Sequence, residues 1–185
     1  MSLIKKTLFL ALLGIPTACA YAVNYSMDVY FTGTYTDETC VVEINNGSNN
    51  EVVTLPKISV ISLQTNGSEA GSVPFNITLK ECPASRTVAV FFNSSISGTD
   101  TATGNLINDT GPDMSKNVQI RLRKEDSSQV SIDDASSGQD YIISATADPL
   151  SHRFLASYYA KGDSAATAGK VQPVAGVELV YKQQA

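Results

Sequence analysis

The stretch SMDVYFTGTYTDETC, Ser26 to Cys40, alternates apolar and polar residues and ends on a cysteine. With a period of two, Met27, Val29, Phe31, Gly33 and Tyr35 fall on one face. A strand with one apolar face needs a sheet to join. What comes before it narrows the possibilities. The chain opens MSLIKKTLFLALLGIPTACAYA, with two lysines, an apolar run from Leu8 to Ile15, and small residues spaced A-x-A at Ala20 and Ala22. That is the layout of a secretory signal over residues 1–22, and its apolar run is too short to span a bilayer. Cleavage is expected after Ala22, with Ala20 as the alternative. A lipoprotein reading through Cys19 competes with it, although Ile15 and Pro16 stand where a lipobox would carry leucine.

The remaining residues suit a single domain with a real core. Removing the signal takes Lys5 and Lys6 and no acid, so 13 basic groups fall by two against 18 acidic ones. An acidic chain without basic clusters is poorly matched to nucleic acid or an anionic membrane, and no second apolar run suits membrane insertion. Once the signal is gone, two of the three cysteines remain, Cys40 and Cys82. In an exported protein a lone pair is read first as a disulfide, with two buried thiols as the alternative.

Strand signals run along most of the chain. VVEINN (41–46), VVTLPKISV (52–60), VPFNITLKEC (73–82), TVAVFFN (87–93), NVQIRLRKE (117–125), QVSID (129–133), DYIISATA (140–147), HRFLASYYAKG (152–162) and KVQPVAGVELVYK (170–182) are β-branched, aromatic or alternating. Between them lie turn-rich stretches such as NNGSNN, TNGSEAGS, SGTDTATGN, NDTGPD and KGDSAATAG. Many short strands punctuated by turns predict an all-β antiparallel sandwich of immunoglobulin-like pattern, without the tryptophan of antibody domains.

Catalytic chemistry has little to draw on. The one histidine, His152, opens a strand and reads as a surface or capping residue. No serine sits in a G-x-S-x-G elbow, and no His or Cys grouping has zinc spacing, so no catalytic residue, metal or cofactor is expected. KEDSSQVSIDD (124–134) fits no EF-hand loop and reads as a solvated hairpin. Asp133 and Asp134, as neighbours on a strand, point to opposite faces and form no acid pair. Six N-x-S/T sequons begin at Asn24, Asn46, Asn66, Asn76, Asn93 and Asn108; they mark either a glycosylated secreted domain or a chain simply rich in Asn, Ser and Thr.

In their order and spacing, VYFTGTY before DETCVV, then VVTLPKISVISLQTNGSEAG, VPFNITLKEC, RFLASYYAKG and AGKVQPVAGVELVY resemble the type 1-like pilin subunits of Gram-negative chaperone-usher fimbriae. The resemblance covers nearly the whole mature chain. It implies an incomplete immunoglobulin-like β-sandwich, the pilin fold lacking its last strand, over residues 37–185, preceded by a donor-strand arm over 23–36. It implies that Val177, Leu179 and Tyr181 border an apolar groove, and that Met27, Val29, Phe31, Gly33 and Tyr35 enter a neighbour's groove. Strand addition of this kind is the known mode of pilin assembly. The implied partners are a periplasmic pilus chaperone, an outer-membrane usher and neighbouring pilin subunits. The implied route is export to the periplasm and display on a cell-surface fimbrium, supporting cell adhesion. The tyrosine that usually stands next to last in such subunits is here Tyr181, followed by KQQA.

Three function classes therefore stand at this stage: a polymerising structural subunit, a fimbrial tip or adaptor binding module, and a glycosylated secreted domain. An arm and a single domain's worth of residues favour the first, because tip adhesins of this system resemble two-domain proteins in which a lectin domain replaces the arm.

Overall fold

Along Thr87–Asn93 the five central residues, Val88 to Phe92, are all buried, and alternate ones, Val88, Val90 and Phe92, point into the main core. This strand is the middle of one of two sheets. The computed structural model describes residues 39–182. In chain order its strands are β1 Val41–Ile44, β2 Glu69–Lys80, β3 Thr87–Asn93, β4 Thr99–Asp100, β5 Asn105–Ile107, β6 Val118–Lys124, β7 Gln129–Val130, β8 Gln139–Ile142, β9 Leu150–Ala160 and β10 Gly176–Tyr181. Two short 3₁₀ turns, Val60–Leu63 and Ala135–Ser137, complete the set. The larger sheet runs β1-β2-β9-β6-β5-β4 with β7 beside β6, and the smaller runs β10-β3-β8. All strand pairs are antiparallel.

Aromatic packing joins the two sheets. Phe75 and Phe154 stand opposite each other on β2 and β9 and stack at 5.6 Å, and Phe92 of β3 meets both edge-on at 6.1 and 5.5 Å. Offset and edge-to-face contacts of this kind add to the burial energy of the rings. Ile77, Leu79, Val88, Val90 and Val130 close the interior around them. Tyr141 of β8 is fully buried, and its hydroxyl donates to the Ile77 carbonyl at 2.9 Å. Burial pushes its phenol up from the ordinary value, so it stays a donor across the whole physiological range. Half-buried His152 sets its ring edge-on to Tyr141 at 4.5 Å, and burial lowers its pKa.

The two cysteines are bonded. Cys40 lies just before β1 and Cys82 just after β2, and the β1–β2 register pairs Val41 with Lys80, so the bridge closes the open end of two neighbouring strands in one sheet. It therefore differs from the inter-sheet bridge of antibody domains.

Three expectations need correction. VVTLPKISV forms no strand: residues 51–59 run without a ladder, and Pro56 supplies no N–H. The final segment is a strand only from Gly176, because residues 170–175 are held by loop contacts instead of a neighbour. SGTDTATGN, read as a loop, contributes the two-residue strand β4, too short to leave a periodic signature. The hairpin reading of 124–134 holds, with Lys124 N donating to Ser128 O and Ser127 N to Lys124 O. Asp133 accepts from Ser94 while Asp134 caps the second 3₁₀ turn, so the adjacent acids do separate work.

Replacing Cys40 and Cys82 together with serine removes a crosslink of sequence separation 42. The stability loss expected in urea unfolding is about 4 kcal/mol from chain entropy, with the midpoint falling and the slope rising because the uncrosslinked denatured chain is less compact.

Candidate strand-binding groove

The last strand is half of a design. On β10, Val177, Leu179 and Tyr181 share the face turned toward the core, and Glu178 and Val180 face solvent. Their ladder partners on β3 are Phe92, Val90 and Val88, which are 4%, 0% and 0% exposed. Val177, Leu179 and Tyr181 pack against the same core yet stay only partly buried. Among the described residues β10 pairs with β3 alone, and no strand lies on its other side.

The backbone is incomplete in the same place. Lys182 N donates to Thr87 O, which puts the bonded ladder pairs at the even-numbered residues of β10. The N–H and C=O groups of Val177, Leu179 and Tyr181 consequently point away from β3. No backbone partner for them exists among the described residues. An open edge of this kind is a template for another strand.

The segment that formed no strand packs on the core as well. Val53 and Leu55 alternate inward and pack on the main core, Ile58 packs on the smaller cluster with Leu63 and Val118, and Val52 points outward. Before Pro56 the segment follows the strand period, and after it the inward positions slip by one residue. Val53 and Leu55 thus rest on the same apolar core as the inward face of β10.

The Tyr181 hydroxyl accepts a hydrogen bond from Cys40 N–H at 2.7 Å, so residue 40 lies beside the finish of β10. A cavity of about 360 Å³ lies between Lys57–Val60 and Leu63 on one side and Ala166–Gly169 and Val171, on the segment that leads into β10, on the other, floored by Val118 and Tyr158. The space is ample for one large side chain. Charges stay off the floor: Lys182 pairs with Asp140 at 2.6 Å on the outer face of the small sheet, and Glu178 accepts from the Asn93 amide.

A second ionic cluster lies on the outer face of the large sheet. Arg123 holds Glu69 by two bonds at 2.6 and 3.1 Å, Ser157 adds a third, and Arg121 lies over the Tyr159 ring at 3.9 Å. Partial burial works to raise the Glu69 pKa, but the bonds from Arg123 and Ser157 and the two guanidinium charges hold the carboxyl below its usual range. These contacts link β2, β6 and β9, remote from the groove.

Of the residues singled out in the sequence, Val177, Leu179 and Tyr181 come together on one face and Cys40 with Cys82 in the bridge. Met27, Val29, Phe31, Gly33 and Tyr35 lie outside the described residues, as does the signal segment 1–22. Sequence reading missed Val53, Leu55 and Ile58 as core-packing residues of an unpaired segment. The alternation of VVTLP was a legible signal for them, but it was read as an ordinary paired strand.

A sandwich with one open edge and a half-covered strand defines a class of immunoglobulin-like domains that are short of one strand. Residues 29–182 match the family described as Fimbrial protein. The F17 fimbrial protein of Escherichia coli is 33% identical over 180 residues, covering 92% of this chain and 97% of that protein. The serotype 2 fimbrial subunit of Bordetella pertussis is 33% identical over 179 residues, covering 83% and 85%. Among solved structures, a chain from a chaperone-usher pilus superimposes with a TM-score of 0.57 at 18% identity, covering 92% of this chain and all of that one, which concerns the fold. The chain belongs to the fimbrial protein family and is a structural subunit of a cell-surface fimbrium.

The half-buried state of β10 has a measurable consequence. Leu79→Ala, deep in the core, is expected to cost about 2–5 kcal/mol in urea unfolding of the dilute chain with its groove empty. Leu179→Ala is expected to cost less than half as much under the same conditions, because it leaves no closed cavity.

Proposed function

We propose that the groove between β10 and residues 51–59 accepts one extended strand from a neighbouring subunit, and that residues 23–36 of this chain fill the same groove in the next. The observation carrying this is the contrast between β10, half-covered on its core face, and β3, its fully buried ladder partner. One strand laid along β10 would cover Val177, Leu179 and Tyr181, bond the groove-facing backbone groups, and complete the smaller sheet.

The arm meets these requirements. Fourteen extended residues reach roughly 45 Å at about 3.3 Å each, beyond the length of six-residue β10. Met27, Val29, Phe31 and Tyr35 offer roughly 6–12 kcal/mol on burial, before the cost of ordering the arm. Gly33, within the alternation, suits a place where the groove floor leaves no room for a side chain. An antiparallel arm, matching the other pairings of this fold, runs against β10 and brings its Tyr35 end to the cavity. Before assembly the exposed edge needs a temporary cover, the task of the periplasmic chaperone in pilins, with the outer-membrane usher as the place of exchange. Export through segment 1–22 to the periplasm precedes display on the fimbrium. The subunit's role is structural, with no catalysis.

Two forms of the chain test this: residues 37–185 alone, and the same residues with 23–36 joined after Ala185 by a flexible linker. The joined form is expected to melt on the order of 10–20 °C higher, at roughly 2–4 °C per kcal/mol for a domain of this size. Gly33→Leu in the joined arm is expected to abolish the gain. Equal melting of both forms would show the sandwich to be complete without the arm, and would favour a self-contained secreted domain.

A further inference from the structure

The segment between β9 and β10, residues 161–175, forms one wall of the cavity without joining either sheet. Side chains and loop backbone hold it. Thr167 N donates to Lys116 O, Lys116 N returns a bond to the Thr167 hydroxyl, and the Ser115 hydroxyl donates to Thr167 O. Ser115 N donates to Lys170 O, and Lys170 N to Asp113 O. Gly169 passes so close to Ser115 that a Cβ there would fall 2.4 Å from its backbone nitrogen.

At the centre of these contacts is Asn108, which follows β5 and is 6% exposed. Its Nδ2 donates to Ser115 O and to Lys170 O, each at 2.9 Å, and its Oδ1 accepts from Gln172 N at 2.9 Å. One amide group thus spends both hydrogens and its oxygen on three backbone groups of two loops. Gly169 and Val171, on either side of Lys170, line the cavity, and so does Ser115. Asn108 heads a sequon, but its amide is buried and fully engaged, so in the folded domain it serves as a clamp and is no sugar acceptor.

Resting on the groove reading above, we infer that Asn108 is a positioning residue for strand exchange: it fixes the cavity wall at Lys170 and Gln172, and so sets the selection of the donor side chain that enters there. The side chain never reaches the incoming strand. Its effect passes through the carbonyls of Ser115 and Lys170, which it ties together, and so through the placement of the Gly169–Val171 wall.

The test uses the mature chain refolded with a fluorescent peptide of residues 23–36. Displacement by unlabelled peptides carrying Tyr35 or Tyr35→Ala is followed by anisotropy. Wild-type protein is expected to prefer the Tyr35 peptide by at least tenfold. Asn108→Asp keeps the shape of the side chain but turns a carboxylate oxygen toward two carbonyls. It is expected to reduce that preference below threefold, weakening the Tyr35 peptide while the Tyr35→Ala peptide changes by less than twofold. Asn108→Ala, checked for folding by circular dichroism, is expected to do the same. Tyr141→Phe, which loosens the core away from the cavity, is expected to leave the preference intact, which separates positioning from general destabilisation. A preference unchanged in both Asn108 variants, or equal weakening of both peptides, overturns the role of Asn108 while leaving the groove reading standing. Failure of wild-type protein to bind the 23–36 peptide at all overturns the groove reading itself, and this inference with it.

Discussion

The open edge of β10 is the constraint on which the rest of the structure depends. A strand of six residues with a neighbour on one side only leaves half of its backbone groups and one side of its apolar face without a partner within the sheet. Such a strand is held in place by its attachments elsewhere. Its finish is tied to Cys40 through the Tyr181 hydroxyl and to β8 through Lys182 and Asp140, and its start follows Val174, which exchanges bonds with Ser97. These attachments keep the groove shaped while its central strand position stays open.

The disulfide and the aromatic core support that arrangement from the opposite sheet. The bridge holds β1 to β2 beside Cys40, and the stacked pair Phe75 and Phe154 with Phe92 edge-on to both fixes the spacing of the sheets at the centre. With the sheets so fixed, Val53 and Leu55 pack on the core without a ladder of their own.

The cavity end shows a different solution to the same problem. A wall that cannot be built from sheet hydrogen bonds is built from polar side chains buried under a loop, with Asn108, Ser115 and Ser97 each bonding backbone groups far away in sequence. Buried polar groups that are fully satisfied specify a single geometry well, because any shift leaves one of them unpaired. Steric exclusion acts alongside them where Gly169 meets Ser115.

The amino-acid sequence by itself determined the local facts. The β-branched and alternating runs of β2, β3, β6 and β9 were legible because period two over seven or more residues has no competing reading, and the cysteine pair was legible because only two remained after the signal. The alternation of Val177, Leu179 and Tyr181 was equally plain, but alternation says which face is apolar and never what lies beside the strand. Only the tertiary structure decided that β10 stands at an edge, that residues 51–59 stay unpaired, and that Asn108 clamps the cavity wall. Those are relations between segments far apart in the chain, set by how two sheets close over one core, and no single stretch of residues contains them.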